Sequence, residues 1–247
     1  MINKILFKGT FKKAKVQIDL NKSTSRKINT ALEKKCELVW AKTLAISEKK
    51  GYQIWDNTVY RLDKFEQTDN HLRLKLSTIP FRIRISMNQF TEELLNLGGD
   101  YYPMAMYSSV YVKTRDDNFV FVSKSNKYHK NRKYSFIGGV INNEDQKLEN
   151  TKDLWECTKS EIREETGIDD DQIEEVNLKG GYINHTANVC LVFACSLTCN
   201  SKELETIFKQ KHDKEVENLE FVSRESVRDF VLNKIEIQDN ILDILDY

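Results

Sequence analysis

The sequence predicts a mixed α/β sandwich over residues 101–247, preceded by an α+β region of about 100 residues. Three patterns carry this expectation. "HLRLKLSTI" alternates strictly, with Leu72, Leu74 and Leu76 on one side and Arg73 and Lys75 on the other, as a half-buried strand does. "STSRKINTALEKKCELVWAKTLAISEKKG" spaces Ile28, Leu32, Cys36, Val39, Trp40 and Leu44 close to a helical period. From about residue 101 on, strand-like runs alternate with helices irregularly, which favours a mixed sheet over a parallel doubly wound one.

Taken in order, "FKGTFKKAKVQIDL" contains strand-like pieces. The long amphipathic helix then runs from about Ser23 to Gly51, opened by serine and threonine and closed by glycine. Trp40 and Trp55 are expected in the core. "NTVYRLDKFEQ" and "HLRLKLSTI" form an antiparallel pair, and "MNQFTEELLNLGG" is a short helix stopped by Gly98 and Gly99. "SSVYVKT" and "NFVFVSKS", separated by "RDD", make a hairpin. A polar loop leads into the helix "TKDLWECTKSEIREETG", with Asn150 or Thr151 as its cap. "GGYINHTANVCLVFACSL" is one long strand or two. "SKELETIFKQK", "RESVRDFVLNK" and "QDNILDILDY" are helical, and "NLEFVS" is a strand.

Composition bounds the function. Lysine plus arginine equals aspartate plus glutamate at 38 each, so no general attraction to nucleic acid or acidic membrane is expected. The five cysteines include no C-x-x-C, and the four histidines are scattered, so no zinc-site spacing arises. Cys190, Cys195 and Cys199 are expected as packing residues. The N-terminus lacks the apolar run of a signal peptide, and no stretch approaches the ~18 apolar residues of a membrane span. A cytoplasmic protein with reduced thiols is the expectation.

The chemically informative stretch is "SEIREETGI". Glu161, Glu164 and Glu165 stand at i, i+3 and i+4 just before Gly167. A helix C-terminus carries partial negative charge, so acids there are unfavourable by roughly 0.3–1 kcal/mol each. Like charges at this spacing add about 0.2–0.5 kcal/mol per pair. A divalent cation is the simplest compensation, although Lys159 and Arg163 offset part of the charge.

"FIGGV" followed by "SEIREETGI" resembles the Nudix box of diphosphate hydrolases, G-x5-E-x7-R-E-U-x-E-E-x-G-U, with U a bulky aliphatic residue. Matched residue by residue, Gly139 is the opening glycine, whose backbone approaches the metal in that family. Glu161 is the glutamate of R-E, Ile162 the aliphatic, Glu164 and Glu165 the E-E pair, and Gly167 and Ile168 the close. The chain departs from the box twice. Ser160 replaces the arginine, and the interval from Gly139 to Glu161 is seven residues longer. The early glutamate therefore falls on Lys152 counted backward or Asp145 counted forward, with Glu144, Asp145 and Glu149 as substitutes.

Within that family, "WDNTVYRLDKFE", "LRLKLSTIPFR" and "GDYYPMAMYSSVYVKT" resemble the UDP-glucose pyrophosphatase-like branch. The resemblance implies a Nudix-type α/β/α sandwich at 101–247 and Mg²⁺, or Mn²⁺, as cofactor. It also implies cleavage of a nucleoside diphosphate linked to another moiety, with a UDP-sugar as lead substrate. An ADP-ribose or dinucleotide pyrophosphatase is the second reading, and a degenerate nucleotide-binding regulator the third. Glu161, Glu164 and Glu165, with Gly139, are the metal-site candidates. Glu164 or Glu215 takes the proton of the attacking water. Asn184, matched to an asparagine of that branch, is a substrate-binding candidate. Lys124 and Arg132 are further ones, in "KSNKYHKNRK", which is by default a solvated loop and alternatively a phosphate-facing lid just before the glycine pair. His185 is expected at a rim. The partner is a small nucleotide, with no nucleic acid and no membrane.

Overall fold

The computed structural model describes residues 3–21, 23–124, 134–142, 147–211, 216–235 and 241–245. Nine strands occur among them. β1 (Lys4–Phe11), β2 (Val16–Leu20), β3 (Thr58–Thr68) and β4 (His71–Pro80) precede residue 100. β5 (Met106–Lys113), β6 (Asn118–Lys124), β7 (Ile173–Ile183), β8 (Val189–Leu197) and β9 (Val216–Ser223) follow it. The helices are α1 (Thr30–Lys50), α2 (Phe81–Met87), α3 (Thr91–Leu97), α4 (Thr151–Thr166), α5 (Ser201–Lys211), α6 (Val227–Lys234) and α7 (Ile241–Ile244).

The strands form a six-stranded sheet in the order β1-β7-β8-β5-β6-β9 and a three-stranded sheet in the order β2-β4-β3. β5 and β8 pair in parallel and the other neighbours of the large sheet pair antiparallel, so the fold is mixed α/β, as expected. One face of the large sheet shares a core with α4, α5 and the small sheet, through Leu154, Ile162, Leu204, Phe208, Leu72 and Leu74. The other face is covered by α6 and α7 through Val227, Val231, Ile241 and Ile244. Helices thus lie on both sides of the sheet.

Residues 1–100 enter both sheets. β1 is an edge strand of the large sheet, with Lys4 opposite Ile183 and Phe11 opposite Leu178 on β7. The β3–β4 pair is antiparallel with Leu62 opposite Leu76, and β2 adds to β4 in parallel.

Three expectations are corrected. α1 starts at Thr30 and not near Ser23, because the Asn29 side chain accepts the Leu32 N–H at 3.0 Å and fixes the first turn there. Ile28 therefore lies outside the helix, 68% exposed, and Leu44 at the edge of the stripe is 39% exposed. Trp40 is buried, but Trp55 is 61% exposed, since it follows the helix in an irregular stretch. The unexpected α2, "FRIRISM", alternates like a strand but follows Pro80, whose missing N–H ends β4. "GGYINHTANVCLVFACSL" is resolved as the end of β7, a tight turn at 184–188, and β8. Cys190, Cys195 and Cys199 pack in the core, and burial pushes the Cys195 thiol up to about 12.

Candidate active site

The site begins where two strands part. β5 and β6 pair only at Val112–Val120 and Lys113–Phe119. The segment 134–142 enters the fork between them. Ser135 bridges to Val122 of β6, and Ile137 and Val140 bridge to Val110 and Tyr107 of β5. The Ser108 N–H donates to the Gly139 carbonyl at 2.9 Å and the Val110 N–H to the Ile137 carbonyl at 2.7 Å. Gly138 and Gly139 are thus held in the fork by pairing on both sides of them.

A Cβ on either glycine would press on a neighbour. A Cβ on Gly138, at φ +138°, meets the Ser108 carbonyl oxygen at 2.3 Å. A Cβ on Gly139 meets Glu161 Oε1 at 2.3 Å and Oε2 at 2.7 Å. The Gly138 N–H donates to Glu165 Oε2 at 3.3 Å. The backbone of the pair therefore lies directly against two carboxylates.

Those carboxylates are carried by α4, a helix anchored at both ends. Asn150 and Asp153 form a capping box at its start, and Gly167, at φ +80°, closes it. Its inner face buries Leu154, Trp155, Thr158, Ile162 and Thr166, and Trp155 Nε1 donates to the Val176 carbonyl at 2.9 Å. The acids divide two and one. Glu161 is half-buried and Glu165 only 6% exposed, both at the glycine pair. Glu164 is exposed, with its Oε1 accepting the Ser160 hydroxyl at 2.8 Å. At 100° per residue, Glu165 stands about 40° around the helix from Glu161, whereas Glu164 stands about 60° away on the opposite side.

A cavity of about 390 Å³ adjoins the glycine pair. Gly138 and Gly139 line it together with Tyr107, Tyr134 and Phe136, while the carboxylates do not. Asn184 lines it too, yet its side chain is largely occupied with the 184–188 turn. Oδ1 accepts from the Thr186 N–H at 3.0 Å, the Thr186 hydroxyl at 2.8 Å and the Asn188 N–H at 3.0 Å, and Nδ2 donates to the Tyr107 hydroxyl at 3.2 Å. His185 is exposed at the rim.

Other sequence candidates fall elsewhere. Glu149 is exposed, paired with Lys147 at 2.7 Å, and precedes α4. It lies about 18 Å along the helix from Glu161 at 1.5 Å per residue, too far to share an ion with it. Lys152 occupies the first turn of the same end. Lys124 closes β6, with its backbone opposite Val216. Arg132, Glu144, Asp145 and Glu215 lie outside the described residues. Sequence reasoning missed Arg84 and Asn88, which reach the cavity from α2 and the single 3-10 turn after it. No local signal marks them, because the other residues of the cavity are 19 or more residues away along the chain.

The donors fit a hard divalent ion in kind. Glu161 and Glu165 supply carboxylate oxygens, and the absent Cβ at Gly139 leaves room beside them. Among the described residues no three His, Cys, Asp or Glu side chains form a group able to hold a metal by themselves. Mg²⁺ is commonly bound by one or two carboxylates, with waters and substrate phosphates completing its shell, so two suffice for such an ion.

No family model matches the chain, and no curated protein does. Several solved structures are similar in part. A bifunctional NMN adenylyltransferase/ADP ribose pyrophosphatase from Francisella tularensis aligns over 66% of this chain and 46% of its own length, at 12% identity and TM-score 0.40. The chain thus spans about half of that protein. DR0079 from Deinococcus radiodurans aligns over 57% of this chain and 80% of its own, at 10% identity and TM-score 0.39. Tm1382, a candidate Nudix hydrolase, aligns over 81% and 91%, at 13% identity and TM-score 0.41. Among the described residues no helix is long and apolar enough to cross a membrane.

Proposed function

We propose that the chain is a Nudix-type hydrolase that cleaves a nucleoside diphosphate linked to another moiety, with UDP-glucose or a close UDP-sugar as lead substrate. The products are then UMP and a sugar 1-phosphate. The observation that carries this reading is the contact of Glu161 and Glu165 with the backbone of Gly139 and Gly138. A solvated acidic helix face has no reason to press its carboxylates against a glycine pair, whereas a hard-ion site does.

Glu161 and Glu165 would hold Mg²⁺ or Mn²⁺. When bound, the ion neutralises charge on the phosphate oxygens and lowers the pKa of a coordinated water. The chain's own residues supply the rest. The Ser160 hydroxyl holds the Glu164 carboxylate by one hydrogen bond, leaving an exposed oxygen to accept a proton. Ser160 stands where the box has arginine and acts on Glu164, four residues on. The cavity beside the glycine pair has the size of a small-ligand site and aromatic walls for a base or a sugar.

The UDP-sugar assignment rests on the resemblance of the segments at 55–114 to that branch. The experiment is kcat/KM for UDP-glucose, ADP-ribose and NADH, measured side by side with Mg²⁺ and with product identification. UDP-glucose is expected to exceed the others by about tenfold or more, the discrimination that hydrogen bonding to one base edge supplies. A higher value for ADP-ribose replaces the UDP-sugar assignment. Binding without any monophosphate product removes the hydrolase reading.

A further inference from the structure

The cavity beside the glycine pair draws its lining from both halves of the chain. Among its described lining residues are one guanidinium, that of Arg84, and no aspartate or glutamate. The carboxylates of Glu161 and Glu165 lie against the pair, outside the cavity lining. The carboxylate pair and the cavity that Arg84 lines thus share the backbone of Gly138 and Gly139.

Arg84 is set by its own helix. Its guanidinium carbon lies 5.5 Å from the centre of the Phe81 ring, one turn earlier on α2. Phe81 in turn meets Trp40 of α1 edge-on, with ring centres 6.4 Å apart. The rim around Arg84 is tied to the opposite wall by Asn88, whose Oδ1 accepts from Asn188 Nδ2 at 3.2 Å. Arg84 and Asn88 belong to the first 100 residues, whereas the glycine pair and the 184–188 turn belong to the rest.

We infer that Arg84 is the anion anchor of this cavity and that it binds a phosphate of the nucleoside diphosphate substrate. This rests on the reading of the chain as a nucleoside diphosphate-X hydrolase and adds to it a specificity-determining residue. A planar guanidinium fork matches two phosphate oxygens at once, where a lysine offers only a point charge. The diphosphate then spans the glycine pair, held by Arg84 on one side and facing the carboxylate-bound ion on the other. It also gives the N-terminal region a part in the chemistry.

The test uses the full chain as wild type, Arg84→Met and Arg84→Lys. Isothermal titration in EDTA measures UDP, ADP, uridine and adenosine, so that binding is read without metal or turnover. Wild type is expected to bind the diphosphates at least about tenfold more tightly than their nucleosides, the scale of charge-assisted hydrogen bonds. Arg84→Met should abolish that difference while leaving nucleoside affinity within about threefold, because the stem still packs on Phe81. Arg84→Lys should restore part of it. In turnover with the substrate found, Arg84→Met should raise KM about tenfold and leave kcat within about threefold, the pattern of lost uniform binding. If Arg84→Met fails to fold, Arg84→Lys decides: diphosphate affinity equal to wild type overturns the anchor. The anchor also falls if wild type shows no preference for diphosphates, or if Arg84→Met keeps that preference. Arg84-dependent diphosphate binding in a chain that hydrolyses nothing upholds the anchor and overturns the hydrolase. Hydrolysis with a KM indifferent to Arg84 does the reverse.

Discussion

At the scale of single residues, the two glycines make different predictions although they are adjacent. In Gly139→Ala the new methyl meets the far end of the Glu161 side chain, a flexible group and not backbone. The fold should persist, with a melting temperature within a few degrees of wild type, while turnover falls by about 10²-fold as a carboxylate leaves its place. In Gly138→Ala the methyl meets the Ser108 backbone carbonyl at 2.3 Å, on a residue at φ +138°. Neither yields easily, and urea denaturation should show a loss of about 1–3 kcal/mol. Glu165→Gln and Glu164→Gln should each lower turnover by about 10²-fold. Ser160→Ala removes one hydrogen bond worth about 1 kcal/mol, so its rate should stay within about tenfold of wild type. If Glu164→Gln and Glu165→Gln both keep wild-type turnover, the site is elsewhere. The acids and the glycines were legible in the sequence because spacing on a helix is local information. Their two-and-one division follows from the 100° step, but only once the direction of the glycine pair is known. That direction is set by pairing of 134–142 with β5, between residues some 30 apart in the chain, and no periodicity records it.

At the scale of elements, the 184–188 turn shows how an expected ligand contact is joined to a structural role. Asn184 is a substrate-binding candidate through its match to an asparagine of the resembled branch. In the structure it lines the cavity, but three of its hydrogen bonds fix the turn between β7 and β8. Asn184→Ala should therefore cost stability first, about 1–3 kcal/mol for the buried donors left unpaired. Asn184→Asp keeps the accepting oxygen and loses the amide that donates to Tyr107. Its melting temperature should lie above that of Asn184→Ala, and measuring the two side by side separates the turn from the cavity. Asn184→Ala with unchanged stability and altered KM would make the residue mainly a substrate contact. The same limit of local reading explains α1 and α2. Helical spacing located α1, but Asn29 rather than the earlier serines caps it. "FRIRISM" alternates and carries no helical period, and α2 forms because Pro80 ends β4 and the chain then packs on α1.

At the scale of the whole molecule, the division near residue 100 leads to a prediction about folding. The first 100 residues are tied to the later ones at several points. β1 covers the edge of the 11-residue strand β7. Thr151 at the start of α4 donates to the Val16 carbonyl of β2 at 2.8 Å, and the Leu148 N–H donates to the Tyr60 hydroxyl of β3 at 2.7 Å. The Leu62 N–H donates to the Met104 carbonyl at 3.0 Å. Phe7 and Phe11 are 2% and 1% exposed in the core shared with α4 and α5. A fragment beginning at Asp100 loses all of these. It exposes β7 as a long edge strand, a template for pairing with other chains. It also uncovers apolar area at roughly 25 cal/mol per Å², where each large core side chain removed costs about 3–5 kcal/mol. Such losses approach the 5–15 kcal/mol that holds a domain folded. We therefore expect the fragment to be insoluble or to lack a cooperative thermal transition, and to show no turnover with the substrate of the full chain. Adding residues 1–20 back as a separate peptide should not rescue it, because β3, β4 and α2 would still be missing. A soluble fragment that melts cooperatively and keeps full kcat/KM would overturn this, and would also remove Arg84 from the chemistry, since the fragment lacks it.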